Sequence, residues 1–397
     1  MAGASEGHRW GRMQTRVPLP IIAMDSKGPK SMNRNRKIAG YSCVLTWVAL
    51  VVVPVWAQGR IGDELKQALR ERVENGQIIG VIVGVIDADG REYFAHGRTE
   101  AGGEDVPDEN TIFEIGSITK VFTAILLADM IERDEVALAN PIEKFLPEKA
   151  TAPTRGGKSI RLIDLATHRS GLPRLPSNIR PADPSNPYAD YSAERLFAFL
   201  SSHTLERNIG AKYEYSNLGF GLLGTLLARR AEMTFDELIA ERITSKLAMP
   251  DTRAVPTPAM RERLAPGHRG RTVVSSWDFQ AIAGAGALRS SALDMLTFLA
   301  ANMDLRQTPL APALKRTHRR RKDAGSSQMG IGLAWHILGR GKREIIWHNG
   351  GTGGYRSFTG FVPATKRGIV ILTNSQGGKP DDLGFRWLES ALPSRDK

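Results

Sequence analysis

The chain has 397 residues and a formal net charge of +12, with 41% hydrophobic residues, 24% charged residues and a single cysteine. That size and apolar content suit one large domain with a real core, and they exclude a disulfide-stapled scaffold or a disordered polyelectrolyte. Half of the positive excess falls in residues 1–57. The remainder has no basic stripe interleaved with aromatic residues, so nucleic acid is not an expected partner.

In chain order, residues 1–31 are polar, basic and glycine-rich and read as an over-called start or a disordered leader. Met32 to Lys37 form a basic n-region, Ile38 to Trp56 are nearly all apolar, and Val55-Trp56-Ala57 offers small residues at a cleavage site. Residues 32–57 therefore read as a secretory signal peptide cut after Ala57, which makes the mature protein exported, periplasmic or secreted. An uncleaved anchor is the alternative, because the apolar stretch is just long enough to span a bilayer. Cys43 lies inside this leader, so the mature chain needs no disulfide.

Residues 58–397 read as one large domain. Asp63 to Asn75 has helical period, and Ile79 to Ile86 with Arg91 to His96 reads as a hairpin turning at Asp89-Gly90. A strongly apolar helix follows Gly116, with Ile118, Val121, Phe122, Ile125 and Leu126 recurring to about Arg133. From about 140 to 285, helix and loop alternate with Pro and Gly breaks. Lys315 to Lys322 is a basic run read as a solvated loop. Strands return at 329–336, 343–348, 355–363 and 367–373, closed by a helix near 381–392. The fold class expected is α+β: an antiparallel sheet built from both termini and flanked by helices, about 58–139 and 286–397, with a mostly helical insert between.

Three short motifs carry the chemistry. Ser117-Ile118-Thr119-Lys120 opens the apolar helix; residues three apart share a helix face, so the Lys120 amine reaches the Ser117 hydroxyl. The helix start also leaves N–H groups and a positive dipole beside that hydroxyl. Tyr215-Ser216-Asn217 sits in a polar turn, and His348-Asn349-Gly350 leads into glycine-rich sequence where backbone closes on a substrate. Together they equip an acyl-transfer serine hydrolase. A second S-x-x-K at Ser394–Lys397 has no helix after it, and a second H-x-G at His268 has no such company. The eight histidines lack metal-ligand spacing, so neither a metal nor another cofactor is expected.

These motifs, with the stretches Phe113 to Pro147, Ile163 to Pro173, Tyr213 to Gly224 and Trp347 to Asn374, resemble the penicillin-recognising serine hydrolases. The resemblance is greatest to the class C β-lactamase branch with its DD-peptidase and esterase relatives, and spans about residues 62 to 390. It implies a β-lactamase/transpeptidase-like fold and an acyl-enzyme at Ser117. Lys120 and Tyr215 would share the Ser117 proton, the N–H groups of Ser117 and Gly351 would form the oxyanion hole, and Asn217 would orient Lys120 and the substrate amide. His348, Asn349 and Gly350 would line the substrate, with Arg356 as an added cation. Two departures stand out. His348 occupies the place of the family's lysine, and Arg174-Leu175 follows Pro173 where a glutamine is usual. The resemblance implies β-lactam hydrolysis first, with D-alanyl peptides or small esters as alternative substrates, or a penicillin-binding sensor that acylates without turnover. The expected protein is a monomer whose partner is a small-molecule or cell-wall peptide substrate.

Overall fold

A computed structural model describes residues 59–394. The leader, its cleavage site, Cys43 and the last residues of the C-terminal S-x-x-K lie outside the described residues.

Helix α1 (Asp63–Glu74) precedes the hairpin of β1 (Gly80–Asp87) and β2 (Gly90–Gly97). Helix α2 (Thr119–Glu132) is entered through a tight turn at Gly116–Ile118. Helices α3 (Ala193–Ser202), α4 (Asn217–Ala231), α5 (Ala292–Asn302) and α6 (Ala311–His318) follow. The C-terminal part holds β3 (Lys322–Asp323), β4 (Met329–Ile331), β5 (His336–Leu338), β6 (Ile345–Gly351), β7 (Arg356–Val362) and β8 (Arg367–Thr373), then α7 (Pro380–Ser390).

The strands form one eight-stranded sheet in the order β2-β1-β8-β7-β6-β5-β4-β3, every pairing antiparallel. The first hairpin thus docks on the last strand, Val81 opposite Thr373, and the sheet is built from both ends of the chain. Strand β1 alternates between two cores. Val81, Val83 and Val85 face α1 and α7, while Ile82 and Ile86 face the large core around α2, α4 and α5. Period-two alternation with both faces covered explains why this strand is apolar at nearly every position.

Helix α2 is buried on all sides except at its end, because sheet and helical region enclose it. Phe122 stacks on Phe298 of α5 with ring centroids 4.5 Å apart. Opposite, the turn Ala283–Ala285 is squeezed against α4. A side chain at Gly224 would meet Gly284 Cα at 2.8 Å, so only small residues admit this approach.

Sequence and structure differ at three places. The single strand expected over 329–336 is two, β4 and β5, separated by a tight turn with Ala334 at φ 63° and Trp335 driven into the core. The basic run is no simple solvated loop. Its first half belongs to α6, where Leu314 and Thr317 are buried and Lys315 and Arg316 pair with Asp304 and Glu132. The central region also contains short strands: Ile112–Glu114 pairs with Arg289–Ser291, and Gly267–Arg269 with Thr272–Val274.

Candidate active site

Ser117 sits in the turn that leads into α2, and Gly116 before it has φ 49°. A Cβ at Gly116 would stand 2.6 Å from the Gly351 nitrogen, so backbone meets backbone there. Two glycine-permitted surfaces thus bring the end of β6 against the start of α2. Ser357 Oγ fastens the join by donating to Ile115 O at 2.9 Å. First-turn N–H groups have no acceptor within their own helix, and the turn that carries Ser117 packs on the strand end that carries Gly351.

Lys120 is fully buried. Its Nζ lies 2.9 Å from Ser117 Oγ and donates to Ala285 O at 2.6 Å. Among the described residues no carboxylate pairs with it; burial, aided by the Arg174 charge, holds its pKa well below the ordinary lysine value. Lys120 Nζ also stands 4.9 Å from the centroid of the Tyr215 ring. Burial pushes the Tyr215 phenol up to about 12, against the opposing pull of the Ser117 hydroxyl and the Arg174 guanidinium. The pair is thereby divided into an amine inclined to be neutral and a phenol that keeps its proton.

Ser216 caps α4, accepting from Gly219 N at 2.9 Å and donating to Pro173 O at 2.6 Å. This cap ties the tyrosine motif to the loop after Ser170-Gly171-Leu172. His168 completes the tie. Its Nδ1 accepts the Ser216 N–H at 3.0 Å, and its ring stacks on Tyr215 with centroids 4.5 Å apart. Asn217 opens α4 and lines the cleft, but its buried Oδ1 has no hydrogen-bond partner, Lys120 included.

The third motif divides by strand alternation. His348 turns inward and is fully buried, its Nδ1 2.6 Å from Asn349 O and its Nε2 without a partner. Burial drives its pKa well below the ordinary histidine value. Its ring lies 5.2 Å from that of His336, which in turn shares a 2.9 Å hydrogen bond with Tyr213. Asn349 points the other way and donates to Asp381 of α7. Gly350 backs onto Ile115, while Gly351 borders the cleft. Arg356 Nη1 donates to Tyr355 O at 3.2 Å and Thr352 O at 3.4 Å, folded over Gly351.

The structure therefore brings Ser117, Lys120, Tyr215, Asn217 and Gly351 together, and sets Asn349 on the opposite face of the sheet. Motif reading passed over the cleft wall of Tyr188, Trp277 and Phe279, which lines the space over Ser117. Tyr188 stacks on Phe279 at 5.0 Å and meets Trp277 edge-on at 5.3 Å. Arg289 holds this wall by donating to Trp277 O at 2.8 Å. No periodicity marks these residues in a loop. His168, by contrast, stands in a stretch already singled out, three residues before Gly171. The other H-x-G histidine is structural: His268 is buried and accepts from Ala101 N through Nε2 at 3.2 Å. Among the described residues no group of three or more His, Cys, Asp or Glu side chains is arranged to hold a metal.

The Beta-lactamase family model matches residues 65–391. The chain is similar to a D-alanyl-D-alanine carboxypeptidase/endopeptidase of Escherichia coli strain K12, 29% identical over 310 residues, covering 75% of this chain and 80% of that protein. It is similar to a β-lactamase of the same organism at 24% over 365 residues, covering 83% and 93%. Among solved structures, a β-lactamase/D-alanine carboxypeptidase from Pseudomonas syringae superposes with TM-score 0.72 at 22% identity, covering 83% of this chain and 99% of that one. A class C β-lactamase from Rhodobacter sphaeroides gives TM-score 0.70 at 23% identity, covering 82% and 97%. The fold is that of these enzymes, and the chain belongs to the β-lactamase family of serine hydrolases.

Proposed function

We propose that the protein is an exported acyl-enzyme hydrolase that attacks peptide-like amides ending in D-alanine, with β-lactams as acylating analogues. The observation that carries the chemistry is the 2.9 Å contact between a buried, carboxylate-free Lys120 amine and Ser117 Oγ. With Lys120 neutral, Ser117 donates its O–H into the Nζ lone pair, and Ala285 O keeps the amine aimed.

Oγ attacks the carbonyl carbon as its proton passes to Lys120, and the carbonyl oxygen takes up negative charge facing the N–H groups of Ser117 and Gly351. The C–N bond breaks, and the proton reaches the leaving nitrogen through the protonated Tyr215 phenol, which Lys120 replenishes. Water then attacks the ester carbonyl, gives its proton back along the same groups, and releases the acid with Ser117 restored. Asn217, whose Oδ1 is unpartnered at the cleft, accepts the substrate amide N–H.

Peptide is placed before β-lactam because the family lysine is replaced by a buried His348, which holds no positive charge at neutral pH. The name of the E. coli carboxypeptidase/endopeptidase supports the same order. Export rests on the leader pattern of residues 32–57. Purified residues 58–397 would be incubated with an N-acylated D-alanyl-D-alanine peptide and with a chromogenic cephalosporin, following release and intact mass. Release of D-alanine with a transient adduct on Ser117 is expected. Rapid cephalosporin turnover without peptide cleavage would restore β-lactam hydrolysis as the primary activity, and a permanent adduct would mark a sensor.

A further inference from the structure

The loop after Ser170-Gly171-Leu172-Pro173 places one cation over the ring of Tyr215. Arg174 is exposed, and its guanidinium carbon stands 5.1 Å from the Tyr215 ring centroid. Its backbone is anchored, because Arg174 O accepts from Asn217 N at 3.0 Å and Leu218 N at 3.1 Å, fixing it to the start of α4. The guanidinium itself is uncommitted. Among the described residues no carboxylate lies within 4.0 Å of it, and no side-chain hydrogen bond engages it.

Every other cation near Ser117 is spoken for or hidden. Lys120 is buried on Ser117 and Ala285 O. Arg356 is turned back on Thr352 O and Tyr355 O. His348 is fully buried. Arg174 and Lys120 both stand about 5 Å from the same Tyr215 ring, so Arg174 and the Ser117–Lys120 pair share that ring as a neighbour. A guanidinium offers a planar fork that matches a carboxylate, and the Tyr215 ring holds that fork in one plane.

We propose that Arg174 is the anion anchor of this site, binding the carboxylate of an acyl donor whose acid group stands one residue beyond the scissile bond. This rests on the acyl-enzyme reading above and names the substrate class: anionic donors, whether a C-terminal amino-acid residue or a ring carboxylate supplies the charge. The same guanidinium charge faces Lys120 and helps keep it neutral, so substrate carboxylate and general base are read by one residue.

The test uses a matched pair of donors, an N-acyl depsipeptide thioester with a free terminal carboxylate and its methyl ester, on wild type, Arg174→Gln, Arg174→Lys and Arg356→Gln. Wild type is expected to favour the free acid. In Arg174→Gln the ratio of kcat/KM for acid over ester falls about tenfold, mostly through KM, the size of an exposed charge-assisted pair partly covered by substrate. Arg174→Lys recovers part of that ratio, and rising salt erodes it in wild type. Equal losses on both donors would mean Arg174 acts only on the site's general geometry or on Lys120, which overturns the anchor. A selective loss in Arg356→Gln instead would also overturn it. The underlying reading fails separately: Ser117→Ala retaining turnover on either donor would remove the acyl-enzyme and the anchor with it. Unchanged melting curves are expected for the Arg174 variants, since the side chain is exposed and unpaired.

Discussion

Two basic residues of the active-site region, Lys120 and Arg289, are both almost wholly removed from water, yet they are treated in opposite ways.

 

Arg289 is 3% exposed; its guanidinium pairs with Asp278 at 3.1 Å and with the equally buried Glu114 at 3.5 Å, and it donates to Ala254 O at 2.7 Å and Trp277 O at 2.8 Å. Lys120 is 0% exposed, and its hydrogen bonds among the described residues go to a hydroxyl and a carbonyl. A charge taken out of water is tolerated when it is paired, and otherwise sheds its proton. Pairing makes Arg289 a strut for the cleft wall, and its absence suits Lys120 to the base role proposed above.

The largest expected effect is on chemistry. Ser117→Ala lowers kcat by at least about a thousandfold, measured by steady-state turnover, because the nucleophile itself is gone. Lys120→Met comes close behind in activity, yet its melting temperature holds or rises, since an unpaired buried amine is replaced by an apolar chain of similar length. Arg289→Met breaks the comparison from the other side. It strands Glu114 and costs about 3–5 kcal/mol of stability in a denaturant melt. Equal destabilisation by the two Met variants would dissolve the contrast.

The pH dependence sharpens it. Turnover needs neutral Lys120, so activity is present above its lowered pKa and falls as pH drops through it. In stability the sign is as follows: between that lowered value and the ordinary 10.5 of lysine, the unfolded chain binds the proton that the fold refuses. Stability therefore rises with pH across that window, and Lys120→Met flattens the slope. His336 and His318, both held down to about 4 by burial, add an acid limb. Their effect is absent above pH 6.5, grows as pH falls toward 4, and reaches about 3 kcal/mol each at most. The smallest effect is expected from His168→Phe, which keeps the stack on Tyr215 but strands the Ser216 N–H, costing about 1–3 kcal/mol by thermal melt.

Much of this was legible in the residues. The i, i+3 spacing of Ser117 and Lys120 dictates their contact once a helix forms, and the apolar pattern of residues 118–131 dictates the helix. Alternation says that His348 and Asn349 face opposite ways, but not which of them meets the cleft. The split of 329–336 into two strands hid in an apolar run, because burial of Trp335 and a left-handed Ala334 carry no periodic mark. Arg174 showed itself in the sequence only as a departure after Pro173; its uncommitted guanidinium is a fact about what does not surround it.

The sequence by itself determined the local things: the nucleophile helix, the first hairpin, the strands at the chain's end, and the acyl-transfer equipment of Ser117, Lys120 and Tyr215. Those depend on periodicity and on neighbours three or four residues away. Folding in three dimensions was needed to leave Lys120 without a carboxylate among the described residues, to give Arg289 two, to bury His348, and to wall the cleft with Trp277 and Phe279. Protonation and substrate contact depend on burial and on partners brought from distant parts of the chain. That environment exists only once the sheet closes on the helices.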